Sequence, residues 1–393
     1  MNRGVATFTL DYGKCPPWLF ERMVKLGREI TIILIDEYGP EEFIRRMGDP
    51  VWFQTLGTVL AFDWNASGLT TILTAALKEG VRGQEKDLGI FICGGKGKTS
   101  LKTPQEINTW GERLNLPGGV AKNLSYNSKM AAKVDSSLVQ DGYQIYHHTF
   151  FFTKSGAWTV VQQGMNTESQ SARRYHWHSK NIKDLIENPH SGIASQKTGK
   201  TLNLTAEDSR KNREVGVELI DQGYTALMKD ISLLRRHSSR LVKSYTVKNR
   251  QGHLFSSLEL SDINFHTHPV LNENFSRSRY LEKILSQITI DPPKSYEEFI
   301  SREGVGPKTV RALSLVAETI YGAPASYKDP ARYSFAFGGK DDIPYPVDRE
   351  TYDKTREIIS GAVLKAKLSI REKNEALRKL GRSQLTPSAT VIP

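Results

Sequence analysis

The sequence predicts an α+β fold that is mainly helical, with a small, mostly antiparallel sheet near its middle and a helix-hairpin-helix region toward its C-terminal end. Three observations lead there. Apolar residues recur at helical spacing through residues 16–79. The stretch from Tyr143 to Trp177 is rich in aromatic and β-branched residues, which suit a pleated, half-buried surface. Gly304-Val305-Gly306-Pro307-Lys308-Thr309 lies between two segments that carry helix start signals.

Taken in order, Trp18, Leu19, Met23, Ile30, Ile33 and Leu34 give residues 16–48 a helical pattern, residues 51–79 continue it, and Tyr38-Gly39-Pro40 punctuates the run. Leu88-Gly89-Ile90-Phe91-Ile92-Cys93 is a short apolar run ending in glycines and reads as a buried strand. Residues 103–114 and 121–139 read as helices, and Tyr143–Thr153 and Ala157–Gln163 as a hairpin turning at Lys154-Ser155-Gly156. Arg173–Trp177 and Gly192–Leu204 add strands, 206–245 is helical, and 246–290 is mixed. The expected organisation is a body over 1–205, a helical connector over 206–290, a hairpin region over 291–380 with an irregular loop at 324–348, and a disordered tail over 381–393 rich in Ser, Thr and Pro.

The hairpin carries the most chemistry. Ser295-Tyr296-Glu297-Glu298 is a capping-box pattern that starts a short helix bearing Phe299 and Ile300, and a second helix runs from Pro307 to a stop at Gly322. Two glycines permit a tight turn whose amides approach a phosphate, while the second helix aims its positive end at the same oxygen and Lys308 adds a charge. Such contacts position DNA without reading its bases, so Gly304, Val305, Gly306, Lys308 and Thr309 are expected to bind damaged or distorted DNA rather than an operator. A net charge of +11 fits a polyanionic partner, although a basic, solvated surface explains it equally well.

Two cysteines, Cys15 and Cys93, in no CxxC arrangement argue against a disulfide framework, a zinc ribbon or a cysteine-held iron–sulfur cluster. No signal-peptide pattern and no membrane-length apolar stretch is evident, so a cytoplasmic, nucleoid-associated protein is expected. Gly94-Gly95-Lys96-Gly97-Lys98-Thr99-Ser100 follows a strand as a phosphate loop would, but that pattern needs glycine where Ile92 stands. The better functional reading is a basic loop in which Lys96 and Lys98 contact DNA phosphate, against an ordinary strand-to-helix turn. Arg173-Arg174-Tyr175-His176-Trp177 interleaves cations with rings and suits stacking on an abasic gap, against plain sheet packing. His147-His148, His176 with His178, and His266 with His268 keep a metal-dependent nuclease open as a minor alternative, although no third ligand can be named.

Longer stretches carry a family resemblance. They include Cys15-Pro16-Pro17-Trp18-Leu19-Phe20-Glu21-Arg22, Cys93-Gly94-Gly95-Lys96-Gly97-Lys98-Thr99-Ser100, Lys129-Met130-Ala131-Ala132-Lys133-Val134-Asp135-Ser136, Tyr146-His147-His148-Thr149-Phe150-Phe151-Phe152, Val161-Gln162-Gln163-Gly164-Met165-Asn166 and Phe337-Gly338-Gly339-Lys340-Asp341. Over about residues 3–380 the chain resembles a family of hyperthermophilic archaea and some bacteria known as a domain of unknown function. That resemblance implies an abasic-site lyase of base-excision repair, with DNA containing abasic sites as partner and no cofactor. The hairpin also resembles that of the endonuclease III class of DNA glycosylases, in which a lysine stands where Lys308 does and an aspartate follows, here matched only loosely by Asp348.

A lyase of this kind needs an amine that is partly neutral near pH 7, to attack C1′ of the opened sugar, and a base to take a C2′ proton. Lys308 is one candidate amine. Lys129 and Lys133, four apart on a helix, are another, because like charges at that spacing would lower one pKa, with Asp135 nearby to orient the amine or act as base. Lys14, Lys96, Lys98 and Lys340 are further possibilities, prior base removal is conceivable, and a non-catalytic DNA-binding protein remains the alternative of a different class.

Overall fold

The computed structural model describes residues 15–60, 66–195, 198–238, 246–248, 254–256, 278–332 and 349–380. Among the described residues the first elements are α1 (Pro17–Tyr38), α2 (Pro40–Met47), α3 (Pro50–Val59), α4 (Ala66–Gly80) and a short α5 (Glu85–Leu88). β1 (Ile90–Lys96) leads through a 3-10 turn into α6 (Thr103–Arg113) and α7 (Gly118–Ser137). Then come β2 (Val139–Gln140), β3 (Gln144–Thr153), β4 (Trp158–Asn166), β5 (Ser171–His178), β6 (His190–Ser195) and β7 (Leu202–Asn203). Among the remaining described residues are α8 (Arg210–Asp221), α9 (Tyr224–Ser238), the β8 (Thr246–Lys248) and β9 (Leu254–Ser256) pair, α10 (Arg279–Ile290), α11 (Tyr296–Ser301), α12 (Pro307–Thr319), α13 (Arg349–Lys365) and α14 (Ile370–Lys379).

The α+β class stands. Five strands in the order β1-β3-β4-β5-β6, each antiparallel to its neighbour, form the central sheet. The Lys154-Ser155-Gly156 turn joins β3 to β4 as expected, with the Gly156 amide donating to the Thr153 carbonyl at 3.1 Å. The predicted strand over 192–204 divides into β6 and β7, and β7 leaves the main sheet to pair with β2.

Side-chain alternation explains the layering. On one face Phe91, Cys93, Phe150, Phe152, Trp158, Val160 and Trp177 share a core with α6, α7 and the helices from α8 to α12. Ile90, Ile92, Phe151 and Val161 point the other way into a second core, which holds Leu19, Met23, Ile30 and Leu34 of α1. Ile359 and Val363 of α13 and Leu377 of α14 belong to that second core as well. Residues of the 291–380 segment thus enter both cores, α11 and α12 on one side of the sheet and α13 and α14 on the other. No helix among the described residues is long and apolar enough to cross a membrane.

Candidate nucleic-acid interface

The hairpin is built locally and then held from behind. Ser295 Oγ accepts the Glu298 amide at 3.1 Å, and the Glu298 carboxylate accepts the Lys294 amide at 2.9 Å, one residue before the position a strict capping box would use. Phe299 and Ile300 are completely buried and anchor α11 in the core.

The turn has two halves. Gly304 has φ +79°, which favours glycine, and a Cβ there would stand 2.3 Å from Ile284 Cδ1 of α10, so any other residue would strain the backbone and displace the end of that side chain. The Tyr280 hydroxyl donates to the Gly304 carbonyl at 3.0 Å, and Val305 and Thr309 are buried. Gly306 is extended, and a Cβ there would meet nothing within 4 Å. Pro307 and Lys308 are exposed, and no side chain caps the first amides of α12, whose donors have no acceptor within the helix. The outer half therefore leaves the positive end of a 13-residue helix without a side-chain cap, next to an exposed lysine; Pro307 has no N–H and Thr309 is buried, so Lys308 is the exposed residue of this first turn that carries an amide hydrogen.

Behind the turn lies α7. Lys133 Nζ donates to the carbonyls of Ile300 at 3.0 Å, Arg302 at 2.6 Å and Val305 at 3.0 Å, which accounts for all three of its protons. Gln140 donates to the Pro307 carbonyl at 3.1 Å and accepts from Arg311 Nε at 2.5 Å, and the Tyr126 hydroxyl donates to Glu297 at 2.7 Å. These contacts join residues 126–140 to residues 297–311, a link that spacing could not reveal because most of the acceptors are backbone carbonyls.

Several expected site residues change role. Burial lowers the Lys133 pKa, opposed by Glu303, and Lys129 is not among the causes. Lys129 is exposed, so the anticipated mutual repulsion of the two lysines does not operate. Asp135 is fully buried and accepts from Gln162 Nε2 at 2.5 Å, Trp177 Nε1 at 3.0 Å and His190 Nε2 at 2.5 Å. With three protein donors and no exposure, it is out of reach of a sugar proton and is not the base.

Arg173 and Arg174 are also corrected, because both faces of β5 are covered. Arg173 pairs with Asp141 at 2.9 Å and Asp329 at 2.8 Å in a buried cluster, and lies 4.8 Å from the Tyr143 ring centre. Arg174 is wholly buried on the opposite face, where it donates to Gln54 and to His176 and stacks on Phe53. Neither reaches DNA from this position.

Lys96 and Lys98 are exposed, as a phosphate-contacting loop needs, and Lys102 joins them on the same segment. The glycines before them do other work. A Cβ at Gly94 would stand 2.3 Å from the His148 carbonyl, and the Gly94 amide donates to Glu106 at 3.0 Å, so a carboxylate already fills the place an anion would take. The histidines in the sheet are engaged by the protein: His148 with Ser128 and Gln162, His176 with Met47 and Arg174, His178 with Thr159, and His147 with Thr74 and Thr149. Among the described residues, no group of three His, Cys, Asp or Glu could hold a metal ion. Asp348, Lys340, Lys14, His266 and His268 lie outside the described residues.

A family model described as a protein of unknown function, DUF763, matches residues 4–347. The chain belongs to this family. That description states no activity, and neither a curated protein nor a solved structure matches the chain. Within the DUF763 match lie the basic loop, α7 with Lys133, and the whole hairpin, so the interface is made of segments that the family model covers.

Proposed function

We propose that this DUF763 protein holds DNA by its phosphate backbone at the Gly306–Lys308 edge and cleaves the strand at abasic sites, with the Lys308 amine as nucleophile. The observation that carries the reading is the openness of the outer turn: a Cβ at Gly306 would meet nothing within 4 Å, beside an exposed Lys308 and uncapped helix amides. Lys308 is preferred over Lys133 because the Lys133 protons are all given to carbonyls.

In this reading the amine adds to C1′ of the ring-opened sugar and the adduct loses water to form a Schiff base. Removal of a C2′ proton then drives the electron pair toward C3′, the 3′ phosphate leaves, and water hydrolyses the imine to free the lysine. The protein needs no metal for these steps. With Asp135 buried, the C2′ base would be another group or water.

A second reading, DNA binding without catalysis, is favoured by the same exposed lysine, since a charge at a helix start is enough to hold phosphate. Borohydride trapping on a duplex with one abasic site separates the two. The lyase reading expects a covalent adduct with the native chain and none with Lys308→Ala, at a DNA concentration where both bind. An adduct undiminished in Lys308→Ala would reject that nucleophile, and no adduct with the native chain would leave only binding.

A further inference from the structure

The back of the hairpin gathers three carbonyl oxygens around one lysine. Three carbonyl oxygens, from Ile300, Arg302 and Val305, converge within 2.6–3.0 Å of a single nitrogen. The three acceptors come from the end of α11 and the turn that follows it, and the turn is closed by the φ +79° of Gly304. Carbonyl dipoles aimed at one point repel each other unless a positive charge stands between them, as the carbonyl rings of ion filters show. Here the charge arrives from another element, at the tip of a half-buried lysine of α7.

We infer that the Lys133 ammonium is the resident cation of this turn, occupying a three-carbonyl site that would otherwise take a monovalent metal ion such as K⁺. The ammonium satisfies the oxygens, fixes α7 against the hairpin and places a positive charge behind the edge formed by Gly306 and Lys308. Lys133 is on this account a positioning residue, and the native turn needs no alkali cation from solution. Glu303, beside the turn, adds to the field that holds a cation there.

The structural part of the inference stands without DNA, and the part about affinity rests on the DNA-binding reading, so two measurements are needed. The first is the thermal midpoint of the full chain in KCl and in tetramethylammonium chloride at equal ionic strength. The native protein is expected to melt at the same temperature in both. Lys133→Ala, which leaves room for an ion, is expected to melt several degrees lower in tetramethylammonium and to regain stability with K⁺ in a saturable way. Lys133→Met, which fills the space with an apolar chain, is expected to lose stability without regaining it.

A Lys133→Ala midpoint that does not distinguish the two salts would overturn the inference. Should that variant fail to fold, Lys133→Gln can still donate to two of the carbonyls. It is expected to be less stable than the native chain in both salts because it brings no charge, and a Gln variant as stable as the native chain in tetramethylammonium would show that hydrogen bonds, not charge, are what the turn requires, overturning the inference. The second measurement is affinity for an abasic duplex. Lys133→Ala is expected to bind about tenfold more weakly in tetramethylammonium than in K⁺, the size of one charge-assisted contact, while the native chain shows no such preference. A K⁺-dependent midpoint with no DNA binding by any form would keep the cation site and reject only the nucleic-acid reading.

Discussion

Lys133 and Lys308 illustrate how placement decides what a lysine can do. The first is half-buried with three carbonyl partners, and the second stands exposed in the first turn of α12. The two glycines between α11 and α12 divide in the same way. Gly304→Ala would force a Cβ to 2.3 Å from Ile284 in a left-handed conformation. It is expected to lower stability by at least about 2 kcal/mol in urea denaturation, from overpacking together with backbone strain. Gly306→Ala meets open space, so its stability should stay within about 0.5 kcal/mol of native while the methyl group weakens phosphate binding. If Gly306→Ala left DNA affinity unchanged, the outer turn would not be the contact edge. Cys93, buried in the sheet with its thiol pKa pushed up by desolvation, is a packing residue.

Among the elements, β3 and β5 carry an unusual load of buried polar groups: His147, His148, Arg173, Arg174, His176 and His178 are all under 5% exposed. A strand covered on both faces has no solvent side to which such residues can turn, so each is bonded within the protein, Arg173 to Asp141 and Asp329 in loops and the others to a helix or to a residue of the sheet. Burial pushes the His147 pKa down to about 3, helped by His148 and Lys96, and the His178 pKa down to about 4, helped by Arg45. These imidazoles are neutral when folded and protonate near their ordinary pKa of 6.5 when unfolded. Their contribution to stability is therefore full above that pH and is lost as the pH falls toward 4. Urea denaturation at pH 7, 5.5 and 4.5 should show a progressive decline, shallower in a folded His178→Gln variant. An equal slope in that variant would mean that other groups govern the acid response. The same double coverage removes Arg173 and Arg174 from the surface, although their alternation with rings resembles a stacking platform when read as sequence alone.

Over the whole molecule, the sheet separates two cores, and α13 and α14 return to close the one begun by α1. The net charge of +11 gives the surface an excess of cations, but its bearing on DNA depends on where the accessible ones gather. Lys96, Lys98 and Lys102 are exposed on one segment, the end of β1 and the 3-10 turn after it. Replacing all three with glutamine should reduce the slope of log affinity against log salt by about two to three, at near 0.9 for each phosphate no longer neutralised, with little change in melting temperature. An unaltered slope would place the DNA path elsewhere on the surface. The α+β class, the helices of the first eighty residues, the β3–β4 hairpin and the α11–α12 turn were all legible in the sequence, because periodicity, turn residues and capping patterns act over a few neighbouring positions. Only the tertiary structure decided that Asp135 and the two β5 arginines are interior and that Lys133 belongs to the hairpin. Burial on both faces of a sheet, and a bond to a backbone carbonyl some 167 residues away, depend on how distant elements meet, and no local pattern encodes that meeting.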